Sequence, residues 1–324
     1  VKESIESILN QTFSDFELLI FNDGSTDESR QVITAIDDAR IVFIDSDQNQ
    51  GYVAHLNAGL RLAKGKYIAR MDADDIALPE RFARQVALLE ADDSIGLCGT
   101  AFEAFGLASG VAHVPLSNQE IYETMLTHCP IGHPTVMFRK AIVDQYQLAY
   151  SKDFMPAEDY NLWYDFGKVA KLQNLPDVLL RYRVHATQIS AAQNECQRAN
   201  ADRVRVLQLT EKGFRLSEAD QALYCRLLNP YTQLHRPAEF KEVLQLIKRI
   251  IQDNERLQAY PSTLFPRLFA ACWTKLVNNL RAYHPAYLLP VLLQPKPIVP
   301  AFGFKAKLVF ALKSMLFWKV KVPA

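Results

Sequence analysis

Three carboxylates crowd the end of a short apolar run, at Asp72, Asp74 and Asp75, and Pro79 follows as the opening of a helix. Asp72 and Asp74 stand two residues apart at the end of an extended segment, so both side chains are expected to leave the backbone on one side. Two carboxylates placed that way suit a hard divalent cation, Mg²⁺ or Mn²⁺. A blander reading makes them a solvated loop, or a charge cluster favoured by the dipole of the next helix. A calcium loop is excluded, because no Gly stands at its sixth position and no Glu closes it. Gly51, Gly59 and Gly65 do not form G-x-G-x-x-G, so a dinucleotide fingerprint is excluded as well. A second acidic pair, Glu158 and Asp159, precedes Leu162, Trp163 and Phe166. Position alone makes these first-turn acids of a helix.

The elements that must carry these groups follow an alternating pattern. Phe16 to Phe21 is a continuous apolar run of the kind buried in a parallel sheet. It ends in Asn22-Asp23-Gly24-Ser25-Thr26-Asp27, a glycine turn with helix-capping residues. Strands are then expected at 40–44, 67–71, 95–99, 101–105, 135–138 and 178–182, with helices between them. Crossovers of that length connect parallel strands. In open sheets, ligands sit beyond the carboxyl ends of the strands, where Asp23 and Asp72–Asp75 both fall. From about Gln188 strand patterns vanish, which divides the chain into 1–187 and a mostly helical 188–324.

The formal net charge of zero, from 36 basic and 36 acidic residues, disfavours nucleic acid as a partner. The five cysteines form no C-x-x-C pair, which fits a reducing compartment with incidental thiols. No long uninterrupted apolar stretch and no leader pattern is present, so a cytoplasmic protein is expected, touching a membrane at most from its inner face. The last 29 residues, 296–324, hold six lysines and no acid among apolar residues. A basic amphipathic segment of this kind suits an anionic membrane surface; lysines snorkelling from a packed helix are the alternative.

Asn22-Asp23-Gly24-Ser25-Thr26-Asp27, the run A-K-G-K-Y-I-A-R-M-D-A-D-D ending at Asp75, and Glu158-Asp159 ahead of Leu162-Trp163 together resemble family 2 glycosyltransferases. The resemblance covers roughly residues 1–190, with the motifs in the same order and at similar separations. It implies a GT-A fold, a Rossmann-like nucleotide-diphospho-sugar transferase with a mixed, mainly parallel sheet and flanking helices, here followed by the helical C-terminal region. Family members usually open with a strand ending in a P-x-Y-N-like turn, whereas this chain opens in the helix after it. An N-terminally truncated domain is therefore expected.

The resemblance also assigns roles. Asp23 falls where the family hydrogen-bonds a uracil edge, with Asn22 where an acid often stands. The metal-binding D-x-D falls on Asp72-Ala73-Asp74, with Asp74 as direct ligand and Asp72 nearer the ribose or behind the metal's direct ligands. Asp159 takes the place of the base that accepts the acceptor's proton, with Glu158 beside it. His185, in a context similar to Y-R-x-H, would reach the metal or the diphosphate. His133 and Trp163 are candidates for the acceptor or diphosphate side, against loop-shaping and core roles. Arg81 and Arg84 are candidates to screen phosphate, against exposed helix arginines. The absence of Q-x-x-R-W and of a spanning helix points to a non-processive enzyme. The expected activity is inverting, metal-dependent transfer from a nucleotide sugar, most plausibly a UDP-sugar, to a glycan or lipid-linked acceptor in cell-surface polysaccharide synthesis. Two rivals stand: a sugar-phosphate nucleotidyltransferase, and an inactive nucleotide-sugar or membrane-binding module.

Overall fold

The computed structural model describes residues 1–186, 188, 194–229, 237–278, 285 and 304–316. The chain divides into two compact units, Val1–Val204 and Arg205–Ala324. The division falls inside a helix, Asn194–Thr210, rather than at 187/188, although the last strand does end at Val184.

The first unit opens with helix α1 (Lys2–Leu9), which buries Ile5 and Ile8. Strand β1 (Leu18–Asp23), helix α2 (Ser29–Thr34), strand β2 (Ile41–Ser46) and helix α3 (Tyr52–Leu62) follow. β1 and β2 pair in parallel, Leu18 opposite Ile41 through Asp23 opposite Ser46. Next come β3 (Tyr67–Ala69), β4 (Ile76–Ala77), α4 (Arg81–Ala91), β5 (Ile95–Gly106) and β6 (Gly110–Ala112). Then α5 (Asn118–Met125), β7 (Met137–Arg139), α6 (Lys140–Tyr146), α7 (Glu158–Val169) and β8 (Lys171–Val184) complete the unit's sheet and its flanking helices. These strands form a second sheet in the order β3-β7-β5-β8-β4, with β6 on β5. β5 and β8 run parallel, from Ile95 against Lys171 to Gly106 against Val184. The β3–β7, β4–β8, β5–β6 and β5–β7 pairs are antiparallel. The first sheet is thus parallel and the second mixed, and the two longest ladders are parallel.

Two strands depart from the sequence pattern. The segments expected at 95–99 and 101–105 are one strand, β5, and β8 begins at Lys171 rather than near Val178. Asn174 and Pro176 hide that start. The ladder passes from Thr100 against Leu175 directly to Ala101 against Val178, so Pro176 sits in a bulge where its missing N–H costs no pairing. The central core joins Ile8, Phe82, Leu89, Ile95, Cys98 and Met137, with Phe16, Leu18, Tyr67 and Met71 packed around it.

The second unit is helical among its described residues: the end of α8 (Asn194–Thr210), then α9 (Glu218–Leu228), α10 (Pro237–Leu257), α11 (Leu264–Asn278) and α12 (Phe304–Met315). Ser217 caps α9 through a reciprocal box with Asp220. α10 buries Phe240, Val243, Ile247 and Ile250, one face at helical spacing, and Phe240 meets Trp273 edge-on at 5.6 Å. Of the basic segment 296–324, residues 296–303 and 317–324 lie outside the described residues. No described helix is long and apolar enough to cross a membrane.

Candidate active site

β3 stops at Ala69, so Asp72 and Asp74 lie beyond the strand, and a turn at 73–74 separates them. The alternation that would have placed them side by side ends with the strand, and each finds its own partner. Asp72 is clasped by Arg70, whose Nη1 donates to Oδ2 at 2.8 Å while Nη2 donates to Oδ1. Such a two-point guanidinium–carboxylate pair fixes orientation as well as charge. Asp74 meets His185, with Nε2 3.0 Å from Oδ2, and both side chains are about 40% open to solvent. β8 delivers His185 just past its last residue, Val184, and Arg183 locks the delivery. The Arg183 side chain donates to the Asp74 carbonyl at 2.8 Å, and its backbone N–H donates to Asp75 Oδ1 at 2.8 Å. Asp75 is fully buried with Oδ2 unpartnered, and burial pushes its carboxyl up to about 7, with Asp72 and Asp74 adding to the effect.

Among the described residues no three His, Cys, Asp or Glu side chains form a ready metal cage. The pair Asp74–His185 nevertheless suits a cation that takes its other ligands from a substrate. One carboxylate oxygen and one imidazole nitrogen are acceptable donors for Mn²⁺, and Mg²⁺ is commonly held by one or two carboxylates plus phosphate oxygens. Asp72 differs from Asp74 in that both its oxygens accept from Arg70.

Glu158 and Asp159 open α7. Glu158 is buried and accepts a hydrogen bond from Tyr52 Oη at 3.0 Å. Burial raises its carboxyl above the usual range. Asp159 is pushed further, to about 7, by burial first and then by the Glu158 charge beside it. The Tyr160 N–H, at 2.7 Å, and the Arg70 charge work in the opposite direction. The Cys129 thiol lies 3.9 Å from Asp159 Oδ2, and burial with this acidic neighbour raises it well above an ordinary thiol. Arg70 therefore links the two acidic groups, holding Asp72 by contact and Asp159 through its field.

Asp23 ends β1 and faces α3. The backbone N–H groups of Gln50 and Gly51 donate to its carboxylate at 2.7 and 3.0 Å, and His55 Nε2 lies 2.6 Å from Oδ1. Partial burial acts against ionisation, yet these bonds hold the carboxyl below its ordinary value. Gly51 has φ 85°, a conformation glycine takes freely, and this orients the N–H at the start of α3 towards Asp23. Asn22 is turned away, donating to Asp45 at 2.7 Å.

Of the other expected site residues, Trp163, His133 and Arg81 are held inside the unit, and Arg84 is exposed. Trp163 is fully buried against His133, Tyr150, Phe138 and Phe166, which leaves no face for a sugar to stack on. His133 sits 3.1 Å from Tyr150 Oη, and burial drives its imidazole well below the usual value, so it is neutral. Arg81 is not exposed. It is completely buried, donating to the Arg70 carbonyl at 2.7 Å and to Gln85 at 3.1 Å. Arg84 pairs with Asp177 at 2.9 Å. The site residues that the sequence pattern does not single out are Arg70, Tyr52, His55, Tyr150 and Cys129. For Arg70 a signal existed, since it stands two residues before Asp72 on the same apolar run.

The overall architecture has solved counterparts. S. aureus TarS, residues 1–349, in complex with UDP-GlcNAc, superposes with a TM-score of 0.56 over 86% of this chain and 84% of that one, at 18% identity. The chain thus has a GT-A fold. The family model for "Glycosyl transferase family 2" matches residues 1–145. An uncharacterized glycosyltransferase of Haemophilus influenzae is 35% identical over 218 residues, 63% of this chain and 68% of the relative. The UDP-Glc:alpha-D-GlcNAc-diphosphoundecaprenol beta-1,3-glucosyltransferase WfaP of Escherichia coli is 32% identical over 191 residues, 58% of this chain and 73% of the relative. The chain belongs to glycosyltransferase family 2 and is a glycosyltransferase, which sets aside the nucleotidyltransferase rival.

Proposed function

We propose that this enzyme transfers a sugar from a UDP-sugar to a lipid-linked glycan acceptor with inversion at the anomeric carbon, one residue per encounter, in the assembly of a cell-surface polysaccharide. The observation that carries the reading is Asp159, a carboxylate held near a pKa of about 7 beside Glu158 and within the field of Arg70. A general base works best with a pKa near the operating pH. Asp159 accepts the proton of the acceptor hydroxyl as that oxygen bonds the anomeric carbon, and the bond to the diphosphate oxygen breaks on the opposite face. The electron pair leaves with the nucleoside diphosphate. Glu158, fixed by Tyr52, keeps Asp159 from ionising too readily, while Arg70 keeps enough of it ionised to act.

Asp74 and His185 would hold Mn²⁺ or Mg²⁺, which when bound offsets the charge that grows on the diphosphate. Arg70 orients Asp72 towards the nucleoside side, and Asp23 with His55 lines the base end. The lipid-linked acceptor is supported by the substrate printed in the name of the WfaP relative. The five free thiols suit the reducing side of a membrane.

The test supplies the protein with Mn²⁺, a panel of nucleotide sugars and a diphospholipid-linked acceptor, and follows nucleoside diphosphate release with product analysis. UDP release that requires the acceptor and rises with the metal is expected. Asp74→Ala should increase the metal concentration needed for half-maximal rate by about tenfold or more, in line with loss of a metal-site group. Turnover indifferent to both Asp74→Ala and Asp159→Asn, in folded protein, would remove the assignment. UDP binding without any transfer would favour the inactive module.

A further inference from the structure

Helix α12 turns one apolar side outward. Leu308, Val309, Leu312, Met315 and Leu316 are 43–71% exposed, whereas Phe310 and Ser314 are buried. At about 100° per residue, the five exposed positions span an arc of roughly 120°, and the two buried ones lie on the opposite side. The helix is therefore anchored by one face and bare on the other. An isolated exposed leucine is ordinary, but a contiguous apolar arc on one helix is an interaction surface.

Charge decides what covers it. Between residues 256 and 324 the sequence holds no Asp or Glu and ten Lys or Arg, so residues 1–255 carry 26 cations against all 36 acids. Lys305, Lys307 and Lys313 lie on α12 itself. Stacking two copies of this face would bring like charges together. A nucleic acid would match the charge but offers its phosphates, not an apolar layer, to the leucines. An anionic bilayer meets both demands, since its interface takes an apolar face while its headgroups attract lysine.

We propose that the face formed by Leu308, Val309, Leu312, Met315 and Leu316 docks on the surface of an anionic bilayer, α12 lying in the interface plane. This goes beyond the transfer reaction and does not depend on it. Docking of this kind confines the enzyme to the layer in which a lipid-linked acceptor diffuses.

The full chain is sedimented with vesicles of phosphatidylcholine alone and with vesicles one-third phosphatidylglycerol. Binding to the anionic vesicles only, weakened by salt, is expected. The pair Leu312→Glu and Leu316→Glu should lower that binding at least tenfold, with helical content by circular dichroism unchanged. Leu308→Ser with Val309→Ser is a milder second variant and should weaken it in the same direction. UDP-sugar turnover on a short-chain soluble acceptor should be as in the unsubstituted protein, which separates this inference from the catalytic one. Failure to bind either vesicle, binding that ignores all four substitutions, or a dimer in solution that the substitutions split would overturn the proposal.

Discussion

The two acidic clusters of the first unit use the same chemical group for opposite ends. In the 72–75 loop, three carboxylates within four residues are each given a separate donor: Arg70 for Asp72, His185 for Asp74, and the Arg183 N–H for Asp75. At the start of α7, Glu158 and Asp159 are pressed together in a buried place, where a tyrosine hydroxyl, backbone N–H groups and the field of Arg70 ease them in part. Dispersal gives Asp72 and Asp74 each a partner of its own, Arg70 for the one and His185 for the other. Burial first, and then the Glu158 charge, lift Asp159 to about 7, a value suited to proton exchange near neutral pH. The number of acids in a motif is thus less informative than their burial, which raises Asp75 in the loop to about 7 as well.

The hardest blow to this contrast is Asp159→Asn. The amide keeps the acceptor for the Tyr160 N–H but takes no proton, so kcat should fall by about 10²- to 10⁴-fold, the usual worth of a positioned base. Stability should move the other way. The Asp159 carboxyl is raised from 3.8 in the unfolded chain to about 7 in the folded one, so between those values the folded state binds more protons. Its contribution is therefore full at acid pH and lost as pH rises through about 7. The asparagine variant lacks that loss, and its melting temperature, compared with the parent, should gain on going from pH 5 to pH 8. A parent and variant whose melting temperatures run parallel across that range would show that Asp159 titrates normally.

Arg70 tests whether the clusters are coupled. Arg70→Gln frees Asp72 from its clasp and removes the cation that favours ionised Asp159. The expected result is a loss of about tenfold in kcat/KM, about 1.4 kcal/mol, with the acid limb of the pH profile displaced to higher pH. Arg70→Lys keeps the charge but not the two-point clasp. It should restore the position of the limb more fully than the rate. If both variants leave the limb where it was, the two clusters work independently.

The carboxylates of both clusters and the helices that frame them are legible in the sequence because acidic spacing and apolar periodicity are local signals. Their electrostatic fates are not. Asp75 reads like its neighbours, yet it is buried because β4 begins one residue later and pairs with β8, a partner more than a hundred residues away. Trp163 and Arg81 carry side chains suited to ligands, but the first is sealed under His133 and Tyr150, and the second is buried against Gln85 and the Arg70 carbonyl. β8 itself is obscured by Asn174 and Pro176, which only the bulge against β5 reconciles with a strand. The helical periodicity of 188–324 needed no such long-range partner, and the elements among the described residues there are helices.

The finest distinction concerns why Asp159 is raised. Burial is the larger cause and the Glu158 charge the smaller. Glu158→Gln removes that charge while leaving an oxygen to accept from Tyr52 Oη. The acid limb of kcat/KM should then shift to lower pH, yet remain well above 3.8, the ordinary aspartate value. At pH 6 the variant should hold a larger fraction of its own plateau rate than the parent does. Because the two carboxyls titrate as a pair, the parent limb belongs to both and the variant limb to Asp159 alone. A limb that stays in place would assign the shift to burial by itself. A limb that falls all the way to the ordinary value would assign it to crowding, and the packing around α7 would then have no part in tuning the base.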